Sequence, residues 1–167
     1  IVKRRNGGVL LASQDHGLVY LFSEEPPTGY LSIHKSALQI HALSIYKQQL
    51  YLGLPEGIGR MPLSGLGKPI TEALRVIPSG DARLPSVFLP PNQKYPHWWI
   101  GYIDHKVSRW DKQGNYQLLR DNAFKGWSVR SMVQDKQGTL WAGVSSSGIY
   151  VKRLAESRFE VLNHPIL

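Results

Sequence analysis

Cysteine is absent from the 167 residues of the chain. Its absence excludes disulfide bridges, thiolate nucleophiles and cysteine-ligated metal sites. A cysteine-free chain is compatible with any redox compartment, so this feature of the composition leaves the location open.

Long hydrophobic runs are also missing. No stretch approaches the roughly 20 consecutive apolar residues that span a bilayer, and the opening residues IVKRRNGG lack the apolar middle of a signal peptide. The first residue is Ile1 and not an initiator methionine. We therefore expect any targeting or anchoring segment to lie outside this stretch of sequence.

Acidic residues are scarce, since 12 Asp and Glu stand against 20 Lys and Arg and give a formal net charge of +8. Such an excess favours anionic partners such as nucleic acid, lipid head groups or acidic glycans. The basic residues are nevertheless dispersed, and the KRR run at 3–5 is the densest group. This dispersion favours a solvated basic surface, and we expect no nucleic-acid partner, because that function needs basic and aromatic residues concentrated on one face.

Catalytic and metal-binding patterns are lacking as well. No pair of histidines has the i, i+4 spacing or the H-E-x-x-H wording of a zinc site; they are His16, His34, His41, His97, His105 and His164. The chain has no G-x-S-x-G motif and no glycine-rich phosphate loop, and SSSG at 145–148 has the context of a turn between strands. The sequence therefore predicts no metal, no cofactor and no catalytic residue.

Turn formers and strand-forming aromatics are abundant, with 16 Gly, 11 Pro, 8 Tyr and 5 Trp. These residue types favour short strands joined by tight turns. A chain of 167 residues has the length of one ordinary domain. One all-β architecture should therefore account for nearly all of it.

A repeat organises the strands. Residues 128–164 divide at turn signals into four apolar runs, VRSMVQ, TLWAGV, GIYVKR and RFEVLN, which we name strands A to D. The same order recurs upstream at 9–22, 50–62 and 97–120. Aligning the B strands places four residues in register at spacings of 42, 48 and 40 residues: Trp141, Trp99, Tyr51 and Leu11.

Small residues follow the aligned positions. Two residues later stand Gly143, Gly101 and Gly53, with Ser13 departing in the first copy. The C strands open at Gly148, Gly57 and Gly17, with Lys106 instead in the third copy. Glycine suits places where strands pack tightly or a turn needs a positive φ.

A period of about 40–50 residues is typical of stacked or radial architectures whose repeats cannot bury their faces alone. A single sandwich or barrel needs no such self-similarity. We therefore predict four four-stranded antiparallel β-propeller blades, a segment of a larger propeller, over 1–34, 40–78, 85–120 and 128–164. The predicted strands lie near 9–14, 17–22, 40–46, 50–55, 98–103, 106–111, 129–134, 139–144, 148–153 and 158–163. In the second blade, ITEALRV at 70–76 is either the outer strand or a short helical turn.

The fourth copy resembles the two-component regulator propeller repeat. That repeat has an apolar A strand, then D-x-x-G-x-L-W-x-G and, on the C strand, a glycine, an aromatic and a basic residue. The matching residues are Asp135, Gly138, Leu140, Trp141, Gly143 and Gly148. The other copies lose the Asp-x-x-Gly turn, since Gln93, Ile45 and Arg5 stand where Asp135 does.

The resemblance implies a non-catalytic, ligand-sensing segment on the periplasmic, extracytoplasmic side of a membrane-anchored bacterial signal-transduction regulator. In that family the output domain is a histidine kinase or a diguanylate cyclase. Trp99 and Trp141 would be structural residues wedged between blades by large apolar burial. The implied partners are a small-molecule or oligosaccharide signal and the remaining blades or a second copy of the chain, with membrane contact only through other segments.

Candidate ligand-binding residues lie in the B–C turns and D–A connections, which converge on one face of a propeller while the other turns point away. An Asp-His pair recurs in equivalent B–C turns, as Asp15-His16 and Asp104-His105. The full candidate set is Asp15, His16, Glu56, Asp104, His105, Lys125 and Trp127. Its mixture of hydrogen-bonding groups, a cation and an aromatic plane suits a polar, acidic, sugar-like ligand, and ordinary polar turn residues are the alternative explanation.

Two other functions stay open. One is an enzyme similar to the propeller lyases of antibiotic inactivation, in which a histidine base and acidic metal ligands meet at the ring centre. The other is a general binding or interaction propeller. No acid–base cluster recurs across the copies, which favours a sensor over a lyase.

Overall fold

The computed structural model describes residues 2–3, 9–13, 17–21, 30–32, 39–66, 70–79, 84–104, 106–111, 115–119, 124 and 126–162. The chain divides into two units, Ile1–Leu84 and Pro85–Leu167. Each unit holds two four-stranded antiparallel sheets, and every sheet is built from strands that are consecutive in the sequence. The described residues include no helix long and apolar enough to span a bilayer.

The first unit contains the first and second sheets. The first sheet has the strands β1 (Val2–Lys3), β2 (Val9–Ser13), β3 (Gly17–Leu21) and β4 (Tyr30–Ser32). The second has β5 (Ala42–Tyr46), β6 (Gln49–Leu54), β7 (Gly57–Pro62) and β8 (Arg75–Pro78). Between β7 and β8 lie a 3₁₀ turn at Leu63–Gly65 and the four-residue helix α1 at Ile70–Ala73.

The second unit contains the third and fourth sheets. The third sheet has the strands β9 (Pro85–Leu89), β10 (Trp98–Tyr102), β11 (Val107–Trp110) and β12 (Tyr116–Leu119). The fourth has β13 (Val129–Gln134), β14 (Leu140–Val144), β15 (Gly148–Lys152) and β16 (Glu160–Val161).

The all-β fold of four-stranded meanders is confirmed, and each predicted strand is present with ends within two residues of the prediction. The two alternatives for 70–76 both hold in part. Residues 70–73 form α1, and β8, which begins at Arg75, is the outer strand of the second sheet.

Packing in the first unit uses one face of the second sheet. Leu50 and Leu52 on β6 pair with Ile45 and Leu43 on β5, and directly paired residues share a face. This face forms a fully buried core with Leu10 of the first sheet; its buried members are Leu10, Ile40, Leu50, Leu52, Leu54 and Met61.

This core corrects the alignment of the first copy by one residue. Ser13 pairs with Gly17, with three residues between them, as Val144 pairs with Gly148. Trp141 lies three residues before Val144, and Leu10 lies three residues before Ser13. Leu10, and not Leu11, is therefore the equivalent of Trp141. Ala12 then takes the small-residue position that the sequence alignment assigned to Ser13. A one-residue slip moves every side chain to the other face of a strand, so the buried Leu10 decides between the two registers.

Packing in the second unit joins the third sheet to the fourth. Trp99 is 8% exposed and lies in one buried cluster with residues of the fourth sheet; the cluster contains Trp99, Val107, Phe124, Val129, Leu140, Ala142, Val144, Tyr150 and Phe159. The Lys152 ammonium lies 5.9 Å from the centre of the Trp99 ring. Trp99 therefore packs between the third and fourth sheets. Trp141 is only partly buried and lies outside this cluster, on the opposite face of the fourth sheet.

The aspartate of the matched motif holds the A–B turn of the fourth sheet. Asp135 Oδ1 accepts hydrogen bonds from the backbone N–H groups of Gln137 (3.0 Å) and Thr139 (2.8 Å), and Oδ2 accepts one from Trp141 Nε1 (3.0 Å). Gly138 has φ +93, and a Cβ there would lie 2.7 Å from the Tyr95 hydroxyl, so both backbone and packing require glycine.

The other A–B turns differ from the alignment. Ile45 does not occupy a turn: it lies inside β5, and the turn that follows is formed by Lys47 and Gln48, both with positive φ. In the third sheet the residue that replaces Asp135 is Asn92, one position before Gln93. Its Oδ1 accepts hydrogen bonds from the N–H groups of Lys94 (3.0 Å) and Tyr95 (2.8 Å). Arg5 lies outside the described residues.

Gly101→Ala should destabilise the contact between the third and fourth sheets. A Cβ at Gly101 would lie 2.7 Å from Val129 Cγ1 and 2.7 Å from Val87 Cγ1, so the strands would have to separate. Overpacking of this kind costs about 1–3 kcal/mol in the free energy of unfolding, which urea denaturation measures. Because Val129→Ala removes the contact with Val129 Cγ1, although that with Val129 Cβ at 2.9 Å remains, the double variant should lose less stability than the sum of the single variants. Strict additivity would contradict the proposed clash.

Asp135 should make stability depend on pH. The hydrogen bond from Trp141, followed by those from the turn, lowers the pKa of the Asp135 carboxyl below its ordinary value. A lowered pKa in the folded state gives stability that is present above the ordinary pKa and is lost as the pH falls through the lowered value. Asp135→Asn, which loses the acceptor for Trp141, should therefore be less stable than the parent at pH 7, and the difference should vanish at the acid end of a pH series of denaturation curves. A difference that is constant with pH would exclude this role.

Candidate functional site

Part of the predicted site lies at one end of the second unit. We define the loop end as the B–C turns of the third and fourth sheets together with the residues that lead into β13: residues 103–104, 106, 126–128 and 145–147. Antiparallel pairing places these segments at the same end of their sheets, because β9 and β13 begin where β10 and β14 finish.

Ser128 connects the three segments of the loop end. Its Oγ donates a hydrogen bond to the Ile103 carbonyl (2.8 Å), and its own carbonyl accepts one from the Ser145 N–H (2.9 Å). One residue therefore joins the B–C turn of the third sheet to that of the fourth.

A second serine, which lies within a strand, also joins the third sheet to the fourth. Ser86 lies on β9, and its single Oγ hydrogen is shared between the Val129 carbonyl (2.6 Å) and the more distant Gly101 carbonyl (3.1 Å). Both acceptors lie next to the close approach between Gly101 and Val129. The strands beneath the loop end are therefore held by polar as well as apolar contacts.

The exposed residue Trp127 is anchored through its backbone to a buried neighbour, Phe124. Phe124 is 1% exposed and its ring centroid lies 5.0 Å from that of Tyr150 and 4.9 Å from that of Phe159. The Trp127 N–H donates to the Phe124 carbonyl (2.8 Å), and Gly126, the third residue of this turn, has φ +88. A positive φ at the third position is what a type II turn requires. Trp127 itself is 44% exposed, so an anchored turn presents a large aromatic side chain to solvent.

An ion pair lies in the neighbouring B–C turn. Lys106 Nζ donates to Asp104 Oδ2 at 2.9 Å, with both side chains partly exposed. The Tyr102 N–H donates to the Lys106 carbonyl (3.0 Å) and closes the turn. Lys106 was predicted to open the C strand, but β11 begins at Val107, and Lys106 belongs to the turn. The turn thus presents a carboxylate and an ammonium within one short segment.

The base of this turn is sealed from water. Tyr102 is fully buried and shares a hydrogen bond of 2.9 Å with Ser108 Oγ, which also accepts one from Trp110 Nε1 (2.9 Å). Burial is the main cause that raises the pKa of the Tyr102 hydroxyl above its ordinary value. Tyr102 is therefore neutral near pH 7, and its hydroxyl holds the base of the turn through the hydrogen bond with Ser108.

The predicted site residues fall into three sets. Asp104 and Trp127 lie in segments that the Ser128–Ile103 hydrogen bond joins. Glu56 is exposed in the B–C turn of the second sheet, in the first unit. The remaining candidates lie outside the described residues: Asp15, His16, His105 and Lys125.

Sequence reasoning missed Ser128, Phe124 and Lys106. Phe124 had a visible signal, since it is the one large apolar residue in the polar stretch DNAFKG, where burial is the simplest reason for its presence. Ser128 had none, because its partners are backbone atoms of other segments. Within the described residues no group of three or more histidine or acidic side chains could hold a metal ion.

The comparisons with known proteins concern the fold. No protein-family model and no curated protein matches the chain. Solved structures do match. The extracellular domain assigned to the hybrid two-component system BT3049 from B. thetaiotaomicron has a TM-score of 0.69 at 15% identity, covering 95% of this chain and 20% of that one.

Two further structures support the same fold. The extracellular domain assigned to the one-component system BT4673 from B. thetaiotaomicron has a TM-score of 0.69 at 20% identity, covering 94% of this chain and 21% of that one. The computationally designed protein Ika8 has a TM-score of 0.59 at 17% identity, covering 96% and 46%. The fold class is therefore that of β-propeller blades. The chain spans about one fifth of the length of the two extracellular domains.

Ser128→Ala should loosen the loop end without unfolding the unit. Loss of one partly buried hydrogen bond costs about 1 kcal/mol in the free energy of unfolding. The Ser145 amide, which donates to the Ser128 carbonyl, should exchange its hydrogen faster. Ser157→Ala, at an exposed bend of the fourth sheet, is the matched control and should change neither measurement. Unchanged exchange at Ser145 in the Ser128 variant would show that the serine does not hold these segments together.

Proposed function

We propose that this chain is the ligand-reading part of an extracytoplasmic sensor in a bacterial signal-transduction regulator, and that it binds its ligand at the loop end. The observation that carries the proposal is the exposed Trp127, held by the buried Phe124, beside the turn that contains the Asp104–Lys106 ion pair.

The physical case begins with Trp127. The Trp127 indole ring is 44% exposed, so part of its apolar surface stays in contact with water. A ligand that covers this surface removes it from water, which favours binding. A backbone hydrogen bond already joins Trp127 to the buried Phe124, so binding at Trp127 costs little conformational entropy. A flat apolar face, such as that of a sugar ring, fits this surface.

Polar groups beside the ring supply orientation. Asp104 accepts and Lys106 donates, and the loop-end serines offer hydroxyl groups. Lys106, Lys125 and the overall charge of +8 favour a ligand that carries a carboxylate or sulfate. The proposed ligand is therefore a polar, acidic, sugar-like molecule, with further contacts from His105 and Lys125.

The cellular setting is part of the same proposal. The two matched domains are described as extracellular parts of one- and two-component systems, and this chain shares their fold. We place the chain on the periplasmic side of a membrane and assign it no catalysis of its own. The output domain would then be elsewhere in a longer protein.

Binding to an array of neutral and acidic oligosaccharides tests the proposal directly. Saturable binding of an acidic oligosaccharide is expected, and Trp127→Ala and Asp104→Ala should each weaken it at least about tenfold, which corresponds to about 1.4 kcal/mol. Trp127→Ala should keep the melting temperature of the parent because its side chain is exposed, whereas Asp104→Ala also removes the ion pair with Lys106 and should lower the melting temperature slightly. Leu154→Ala, an exposed apolar residue in the C–D turn, is the control that should leave affinity unchanged.

Three outcomes would count against the proposal. Unchanged affinity in both variants would place the site elsewhere. Absence of binding across the array would exclude an oligosaccharide ligand. Magnesium-dependent elimination of a bound uronate-containing sugar would instead identify a lyase.

A further inference from the structure

Three serines form the B–C turn of the fourth sheet, between β14 and β15: Ser145, Ser146 and Ser147. Ser146 has φ +57, which lies in the left-handed region that a residue with a Cβ disfavours. In the described part of the second unit, every other residue with a positive φ is a glycine: Gly126, Gly138 and Gly148. The turn therefore keeps a side chain at a position where glycine would be less strained.

The two flanking serines are held by the rest of the unit. The Ser145 N–H donates to the Ser128 carbonyl at 2.9 Å, and the hydroxyl of Ser147 shares a hydrogen bond of 2.6 Å with that of Tyr150. Tyr150 is 2% exposed, so the second contact reaches into the buried cluster. Ser146, between these two anchors, is exposed. The turn thus presents the Ser146 side chain to solvent from a fixed backbone.

Trp127 and Ser146 lie next to each other at the loop end. The hydrogen bond between Ser145 and Ser128 extends the pairing of β13 with β14 by one residue, so the next residues outward are Ser146 and Trp127. Opposed residues of an antiparallel pair have Cα atoms about 5 Å apart, and one ligand can contact both. An exposed aromatic ring and an exposed serine are therefore placed side by side.

A sugar ring that covers the Trp127 indole has its hydroxyl groups at its rim, where a neighbouring polar group can reach them. A serine hydroxyl both donates and accepts hydrogen bonds. We infer that Ser146 is a specificity-determining residue of the loop end, which binds a hydroxyl group at the rim of the sugar ring that covers Trp127. Strained backbone persists where the surrounding structure holds it, and here it places the side chain beside the indole. This inference rests on the proposed function and adds the residue that selects among its ligands.

Two variants of Ser146 separate the role of its hydroxyl from the strain of its backbone. Ser146→Ala removes the hydroxyl and keeps a strained residue, so it should weaken binding of the uronate-containing and sulfated oligosaccharides of the array about fivefold, with an unchanged melting temperature. Ser146→Gly should weaken binding equally and raise the melting temperature by about 2–5 °C, because glycine adopts a positive φ freely. Affinity is then lost although stability is gained.

Gln48→Gly is the matched control. Gln48 is an exposed residue with φ +62 in the A–B turn of the second sheet, and it is not part of the loop end. Its substitution should raise stability in the same way and leave affinity unchanged.

Deoxy analogues of the bound oligosaccharide test the contact itself. A site that hydrogen-bonds a ligand hydroxyl rejects an analogue that lacks it. One deoxy analogue should therefore bind the parent about fivefold more weakly than the intact oligosaccharide does, whereas Ser146→Ala should bind the two equally.

The remaining outcomes separate the inference from the function on which it rests. Binding that depends on Trp127 but is unchanged in Ser146→Ala would overturn the inference and leave the proposed function standing. Weaker binding in Ser146→Gly alone would assign the effect to backbone mobility and would also overturn it, as would the absence of any deoxy analogue that distinguishes the parent from Ser146→Ala. Absence of binding in the parent would refute the proposed ligand class and the inference with it.

Discussion

The structure depends on one constraint, that a β-sheet has two faces and a blade can bury neither of them alone. In the second unit the constraint is met by the row of Trp99 and Val107 packing on the row of Leu140 and Ala142. Gly101 makes this possible, because its missing side chain admits Val129. The loop end inherits its geometry from this contact, since the hydrogen bonds of Ser86 and Ser128 both cross from one sheet to the other.

The strands were predictable because their signal is local. Alternating apolar residues between turn-forming residues describe a half-buried strand without reference to the rest of the chain. The DKQG turn was readable for the same reason, since Asp135 binds N–H groups only two and four residues away. Glycines in the B strands indicated a close approach of neighbouring sheets, and a Cβ at Gly101 would lie 2.7 Å from Val129 Cγ1.

The sequence-based predictions failed where several interpretations of the local residues fit the sequence equally well. In LLAS, adjacent leucines leave the inward-facing position undecided, and burial of Leu10 by the second sheet settles it. Lys47 and Gln48 form a hairpin turn with positive φ that usually selects glycine or asparagine, so the residue types do not reveal it. Ser128 is a further case, because a serine before a strand acquires its role only when another segment places a carbonyl within 2.8 Å.

Because Ser128 bridges the two sheets, the proposed ligand site and the sheet contact are thermodynamically linked. A ligand that binds the loop end only when its segments are joined stabilises the packed pair of sheets by RT ln(1 + [L]/Kd). By the same linkage, variants that separate the sheets lower the apparent affinity without touching the ligand. Gly101 lies in the sheet contact, whereas Trp127 lies in the exposed loop. A Trp127 variant that loses affinity and keeps its stability therefore shows that this residue contacts the ligand. A Gly101 variant that loses both affinity and stability shows that the sheet contact supports the site.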